Sequence, residues 1–154
     1  MVVSLQPHNI IDIYTTLYTY LLCSAYCHSI MSKEDEGFQK VANTQALKEG
    51  GLLGIEASAN KIVLAMVEGR VYAIDAVCSH RGGPLDEGSL DGHNLKCPWH
   101  YAVFDVRNGT VSDRTVWATN QRSYPVKVDE STGDILVNIR AGTILKGGKS
   151  AANV

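Results

Sequence analysis

The chain has 154 residues, 45% of them hydrophobic, and 14 Lys and Arg against 16 Asp and Glu give a formal net charge of -2. This fits one globular domain with a core of ordinary size, and the near-balanced charge leaves no basic footprint, which excludes nucleic acid as a partner. Four cysteines, Cys23, Cys27, Cys78 and Cys97, are too sparse for a disulfide framework.

Residues 1–30 hold no Lys or Arg and a single acid, Asp12, while 10–30 is rich in Ile, Leu, Tyr and Thr. A secretory signal needs positive charge ahead of its apolar run, and there is none. The run is long enough to span a bilayer, but Asp12, His28 and several Thr and Tyr interrupt it. The preferred reading is an apolar extension ahead of a chain that starts at Met31, where MSKEDEGF resembles an ordinary hydrophilic N-terminus; a membrane anchor is the alternative. The CSAYCH stretch has three residues between its cysteines, one more than a haem-attachment motif.

From Phe38 onward short apolar runs are punctuated by Gly and Asn, the pattern of an all-β domain. Strands are expected at 38–41 and 52–56, joined by a polar connection. Within 61–67, Ile62, Leu64 and Met66 share one face and Val63, Ala65 and Val67 the other, which predicts a central strand buried on both sides. Glu68-Gly69 turns the chain into a strand at 70–75. Further on, strands at 101–106 and 110–112 flank Asn108-Gly109, a pair that favours a turn with positive φ at both residues. Strands at 124–128 and 135–139 are expected to pair across 129–134. The tail, 141–154, is rich in Gly, Ala and Lys and reads as flexible.

Between these strands lies CSHRGGPLDEGSLDGHNLKCPWH, residues 78–100. Cys78 and His80 form a CxH pair, Cys97 and His100 a CxxH pair, and residues 81–96 separate them. Each iron of a [2Fe-2S] cluster needs two protein ligands besides its bridging sulfides, so two pairs serve two irons. Gly82, Gly83, Pro84 and Pro98 supply the turn chemistry that aims both members of a pair at one point. Four Cys and His ligands would also satisfy tetrahedral zinc, although zinc sites typically use CxxC knuckles. His93 stands in the polar stretch 90–94 and reads as a surface turn residue, not a ligand.

The two ligand pairs, the Gly-Gly-Pro after the first and FDVRNGTV after the second resemble the Rieske family, in which two cysteines hold one iron and two histidines the other. The resemblance covers about 38–140. It implies an all-β fold, a β-sandwich base with a small cluster-binding insert at about 77–103, within a domain at 31–140. It also implies one [2Fe-2S] cluster held by Cys78, His80, Cys97 and His100, with the histidines outermost. Gly83 and Trp99 stand where high-potential members carry bridging cysteines. Ala102 and Phe104 stand where those members carry hydroxyl donors, which implies a low or intermediate potential. Tyr101 occupies a position usually held by Gly. Pro84, Leu85 and Trp99 are expected to rim the cluster, Tyr124-Pro125 to supply a third covering loop, and Trp117 to pack in the core or a hinge.

The functional expectation is a one-electron carrier without catalytic residues, a cytoplasmic Rieske-type ferredoxin working between a reductase and a terminal oxygenase or other acceptor. The alternatives are a Rieske subunit of a larger complex, such as a nitrite reductase or a respiratory chain, and a zinc-stabilised interaction module.

Overall fold

The computed structural model describes residues 36–146, so both the apolar extension at 1–30 and the end of the tail lie outside the described residues. The base begins with β1 (Phe38–Asn43), β2 (Leu52–Ala57), β3 (Asn60–Val67) and β4 (Arg70–Asp75). The ligand-bearing insert adds β5 (Ser89–Asp91), β6 (Asn94–Lys96) and β7 (Val103–Asp105), and the chain returns to the base as β8 (Ser123–Tyr124), β9 (Val126–Val128) and β10 (Asp134–Asn138). Three antiparallel sheets result, ordered β2-β3-β4-β8, β1-β10-β9 and β5-β6-β7. Helical structure among the described residues is confined to single 3-10 turns at Thr44–Ala46 and Leu85–Glu87. None is long and apolar enough to cross a membrane.

β3 is the strand the architecture turns on, buried on both faces as its composition predicts. Ile62 and Leu64 join Leu47, Tyr124, Ile135 and Val137 in the core of the base. Val63, Ala65 and Val67 point the other way, into a second core shared with Cys78, Leu85, Leu95, Cys97 and Phe104. The ligand-bearing lobe is thus seated on the back of the same strand that organises the base.

Four local expectations need correction. The strand expected at 124–128 is broken by Pro125, which has no N–H to donate to a ladder. Tyr124 stays paired with Ala73 of β4, while Val126–Val128 pairs with β10 in the other sheet, so this segment crosses between sheets. At Asn108-Gly109 only Gly109 has positive φ, +74°. Asn108 instead accepts from the Thr110 N–H (2.9 Å) and hydroxyl (2.7 Å), and the Gly109 N–H reaches back to the Asp105 carbonyl at 2.7 Å. Gly109 is required for a second reason, because a Cβ there would collide with the Gln121 carbonyl. The strand expected at 110–112 shrinks to one bridge, Phe104 with Val111, which carries the insert's sheet past the expected limit of 103. Finally, the start of the supposedly flexible tail is fastened: Thr143 and Ser123 exchange two 2.8 Å backbone bonds, and Asn120 Nδ2 donates to the Leu145 carbonyl at 2.9 Å.

Candidate metal centre

Two loops carry the ligand candidates, and both close in the same way. The Cys78 N–H donates to the Gly83 carbonyl (2.9 Å) and the Gly82 N–H to the Cys78 carbonyl (2.9 Å); the Cys97 N–H donates to the Ala102 carbonyl (2.8 Å) and the Tyr101 N–H to the Cys97 carbonyl (3.1 Å). In each loop the residue four past the cysteine adopts positive φ, +73° at Gly82 and +61° at Tyr101. The first loop is tied off by a bridge between Val77 and Pro84. The second spans the turn between β6 and β7.

The four sequence-predicted ligands are brought together as two like pairs. Cys78 and Cys97 are buried, free of disulfides, and members of the same apolar core. Burial pushes the Cys78 thiol up; the N–H groups of His80 and Arg81 pull it partly back, and the neighbouring Cys97 adds to the rise. His80 and His100 lie nearer the surface, with ring centroids 4.9 Å apart at 80°. Desolvation and the nearby His100 and Arg81 hold the His80 imidazole below its ordinary value, favouring the neutral form that a ligand needs.

This arrangement fits a two-iron group. His80 Nδ1 is shielded from solvent yet has no hydrogen-bond partner, an orphan of the sort that ligation would satisfy. Among the described residues no group of three or more His, Cys, Asp or Glu gathers at a single point. Two thiols at the buried end and two imidazoles at the outer end would supply two ligands to each iron of a two-iron group. Gly83 lets the loops approach: a Cβ there would stand 2.9 Å from Cys97 Sγ and 3.2 Å from the Trp99 ring. A bridging cysteine has no room at that position.

A third loop, 112–121, braces the first, and sequence reasoning missed it. Ser79, between the two ligands, donates its hydroxyl to the Thr119 carbonyl (2.7 Å) and accepts from the Thr119 N–H (3.2 Å). Gln121, buried, donates Nε2 to the Val77 carbonyl at 3.0 Å, and Ala118 packs in the same core as both cysteines. Tyr124-Pro125 does not play this part. Tyr124 lies in the base core and donates its hydroxyl to Asp75 Oδ1 at 2.5 Å; burial and that carboxylate push its phenol up to about 12.

Other expectations divide. Trp99 is 54% exposed and its ring lies 6.4 Å from that of His100, as a rim residue should, but Leu85 is fully buried and forms the floor. Trp117 is 43% exposed, not core. His93 is a hairpin turn residue, its ring edge-on to Tyr72 at 5.6 Å. Ala102 and Phe104 are fully buried and offer no hydroxyl, while Tyr101 is turned outward with the Lys96 ammonium 4.6 Å from its ring centroid.

An all-β base carrying two Cys and His loops of this shape defines a Rieske domain. Residues 37–125 match the family model of the Rieske [2Fe-2S] domain, and the chain belongs to that family. It is similar to the ferredoxin component of a naphthalene 1,2-dioxygenase system from Pseudomonas aeruginosa, 35% identical over 83 residues covering 54% of this chain and 79% of that protein. The ferredoxin component of a p-cumate 2,3-dioxygenase system from Pseudomonas putida is 35% identical over 100 residues, covering 64% of this chain and 82% of the other. Among solved structures, the ferredoxin of carbazole 1,9a-dioxygenase from Nocardioides aromaticivorans IC177 superposes with a TM-score of 0.61 at 30% identity, covering 66% of this chain and 97% of that one. The chain is an electron carrier with one Rieske-type [2Fe-2S] cluster, not a catalyst in its own right.

Proposed function

We propose that this chain is the ferredoxin of an oxygenase system, taking electrons from a reductase and delivering them to a terminal oxygenase, with Cys78 and Cys97 on the inner iron and His80 and His100 on the outer one. The observation that carries the reading is the segregation of the donors, thiols paired in the core and imidazoles paired at the surface. The relatives' names supply the kind of partner. When bound, the cluster supplies a one-electron couple. The protein's part is to hold it: the Cys78 and Cys97 backbones close the two loops, Ser79 and Gln121 brace the first loop, and Gly83 lets the loops meet.

Hydroxyl donors to sulfur raise the potential, and Ala102, Phe104 and the outward Tyr101 provide none, so the midpoint belongs near the low end of the Rieske range, about -150 mV. The cytoplasm is the fitting compartment, because two buried thiols that serve as ligands must stay unpaired. The test is metal and sulfide analysis of the full-length chain, followed by a redox titration read by electron paramagnetic resonance at several pH values. One reducible [2Fe-2S] centre with a low midpoint, nearly independent of pH around neutrality, is expected. A high midpoint that falls with pH near 7 would reassign the chain to a quinol-linked partner, and no reducible signal in iron-replete protein would sink the reading.

A further inference from the structure

The matched closure of the two ligand loops makes the same demand twice: the residue four past each cysteine must take a left-handed conformation. Glycine meets it without strain, and the first loop uses Gly82. The second loop uses an aromatic residue, which lies in that region only at a cost. Tyr101 recovers nothing by burial, since it is 64% exposed, and its ring carries only the Lys96 ammonium. Backbone strain held by a solvent-facing aromatic beside a working site signals a use outside the fold.

The surroundings indicate what that use is. Residues 98–101, Pro-Trp-His-Tyr, are all exposed, so an exposed aromatic residue stands on either side of His100 in the sequence, with the Trp99 ring 6.4 Å from that of His100. Eight large apolar side chains are exposed among the described residues, and five of them, Val77, Trp99, Tyr101, Val116 and Trp117, lie on the ligand loops or on the loop clasped to Ser79. Exposed aromatics carried on the loops of a working site mark protein contact surfaces. Lys96 and Arg81 are exposed beside the two loops, and neither enters an ion pair among the described residues.

We infer that Tyr101 is a partner-contact residue, held in a strained conformation so that its ring, with Trp99, seats on an apolar docking face of the oxygenase whose rim carries carboxylates facing Lys96 and Arg81. This rests on the oxygenase reading above. It adds which residue makes the contact and what chemistry the partner presents.

The test uses full-length, cluster-loaded protein, wild type and the variants Tyr101→Gly and Tyr101→Phe. Stopped-flow rates of electron transfer are measured to two acceptors, ferricyanide and the oxygenase component of a naphthalene dioxygenase system. Tyr101→Gly should keep the visible spectrum, melt no lower than wild type, and reduce ferricyanide at the wild-type rate. It should reduce the oxygenase about tenfold more slowly, the size of losing one aromatic anchor. Tyr101→Phe, which keeps the ring, should stay within about twofold of wild type on both acceptors. An undiminished rate to the oxygenase, equal slowing on both acceptors, or a lower melting point with cluster loss would each overturn the inference. Wild-type protein that reduces ferricyanide but not the oxygenase would overturn the partner assignment first, and the inference with it, so the two failures are told apart by wild type alone.

Discussion

Gly82 and Gly83 are adjacent, and the structure requires glycine at each for a different reason. At Gly83 φ is not positive; the constraint is space, since an added Cβ would stand 2.9 Å from Cys97 Sγ and 3.2 Å from two Trp99 ring atoms. Comfortable contacts between such atoms lie at about 3.5–4.0 Å, so one of the neighbours must move. Trp99 is half in solvent and can swing. Cys97 is buried, and its backbone is fixed by the Ala102 and Tyr101 bonds. Gly83→Ala should therefore cost about 1–3 kcal/mol as overpacking, or roughly 4–12 °C in melting temperature for a domain of this size. It should also displace the Cys97 sulfur.

At Gly82 the nearest atom to an added Cβ is Val77 Cγ1 at 3.9 Å, so space is ample and the cost is conformational. Gly82→Ala should lose about 1–2 kcal/mol and leave the cluster untouched. Differential scanning calorimetry reads the stabilities, and electron paramagnetic resonance with a redox titration reads the ligand geometry. Both variants should melt lower, but only Gly83→Ala should shift the g-values and midpoint. Adding Trp99→Ala to it should restore part of the stability, because that relieves the ring contact but not the sulfur contact. A Gly83→Ala protein with wild-type melting and g-values would refute the reasoning outright.

Ser79→Ala removes both bonds of the clasp to Thr119 and should cost about 1 kcal/mol; bleaching of the visible band in chelator should be several-fold faster, with Ser79→Thr restoring the lifetime, and an unchanged rate would show that the third loop needs no clasp. Tyr124→Phe strips Asp75 of its phenolic donor and should cost about 1–2 kcal/mol at neutral pH by denaturant titration. The Tyr124 phenol is raised when folded, so its contribution is complete below the unfolded value of about 10 and is lost as pH climbs toward about 12; the variant should lack that alkaline limb. Burial raises the Asp105 carboxyl, but the Arg107 hydrogen bonds outweigh it and hold the group low, so its contribution is present above the unfolded value of about 3.9 and is lost as pH falls through the folded one. Asp105→Asn should flatten the acid limb of the melting curve, and an identical limb would argue against that pairing.

What the chain reveals unaided is whatever its chemistry writes locally. The ligand loops are legible because Cys78 with His80 and Cys97 with His100 are separated by one and two residues, and β3 is legible because Ile62 to Val67 is apolar on both faces. The third loop is not. The Ser79 hydroxyl meets Thr119 across forty residues, and on the far side through backbone groups that any residue possesses, so local pattern carries no trace of the clasp. Trp117 misleads because a large aromatic is usually buried, whereas its buried neighbour is the small Ala118. Thr143 joins Ser123 through two backbone bonds, with the Ser123 hydroxyl adding a longer one to the Thr143 carbonyl, which is how a tail of Gly, Ala and Lys comes to be ordered at its start. Pro125 breaks the strand locally, but the change of sheet there follows from its neighbours' partners, Ala73 for Tyr124 and Val137 for Val126, which neither local pattern nor charge announces.

The placement of the two cysteines has a consequence for how base and lobe depend on each other. Cys78 and Cys97 are members of the apolar cluster that includes Val63, Ala65 and Val67 of β3, while Ile62 and Leu64 of the same strand anchor the base. The ligand sulfurs are therefore part of a packed core before any metal is considered. Metal binding that draws on a core residue adds its free energy to the fold, and loss of the metal leaves a loosened core behind. The histidines stand on the opposite side of that arrangement, His100 exposed and His80 half-buried, where replacing a ring disturbs little packing. On the proposed ligand assignment, stability and electron exit would fall to different ends of one site, thiolates at the first and imidazoles at the second, and the exposed aromatic residues on either side of His100 in the sequence lie outside the core that holds the sulfur.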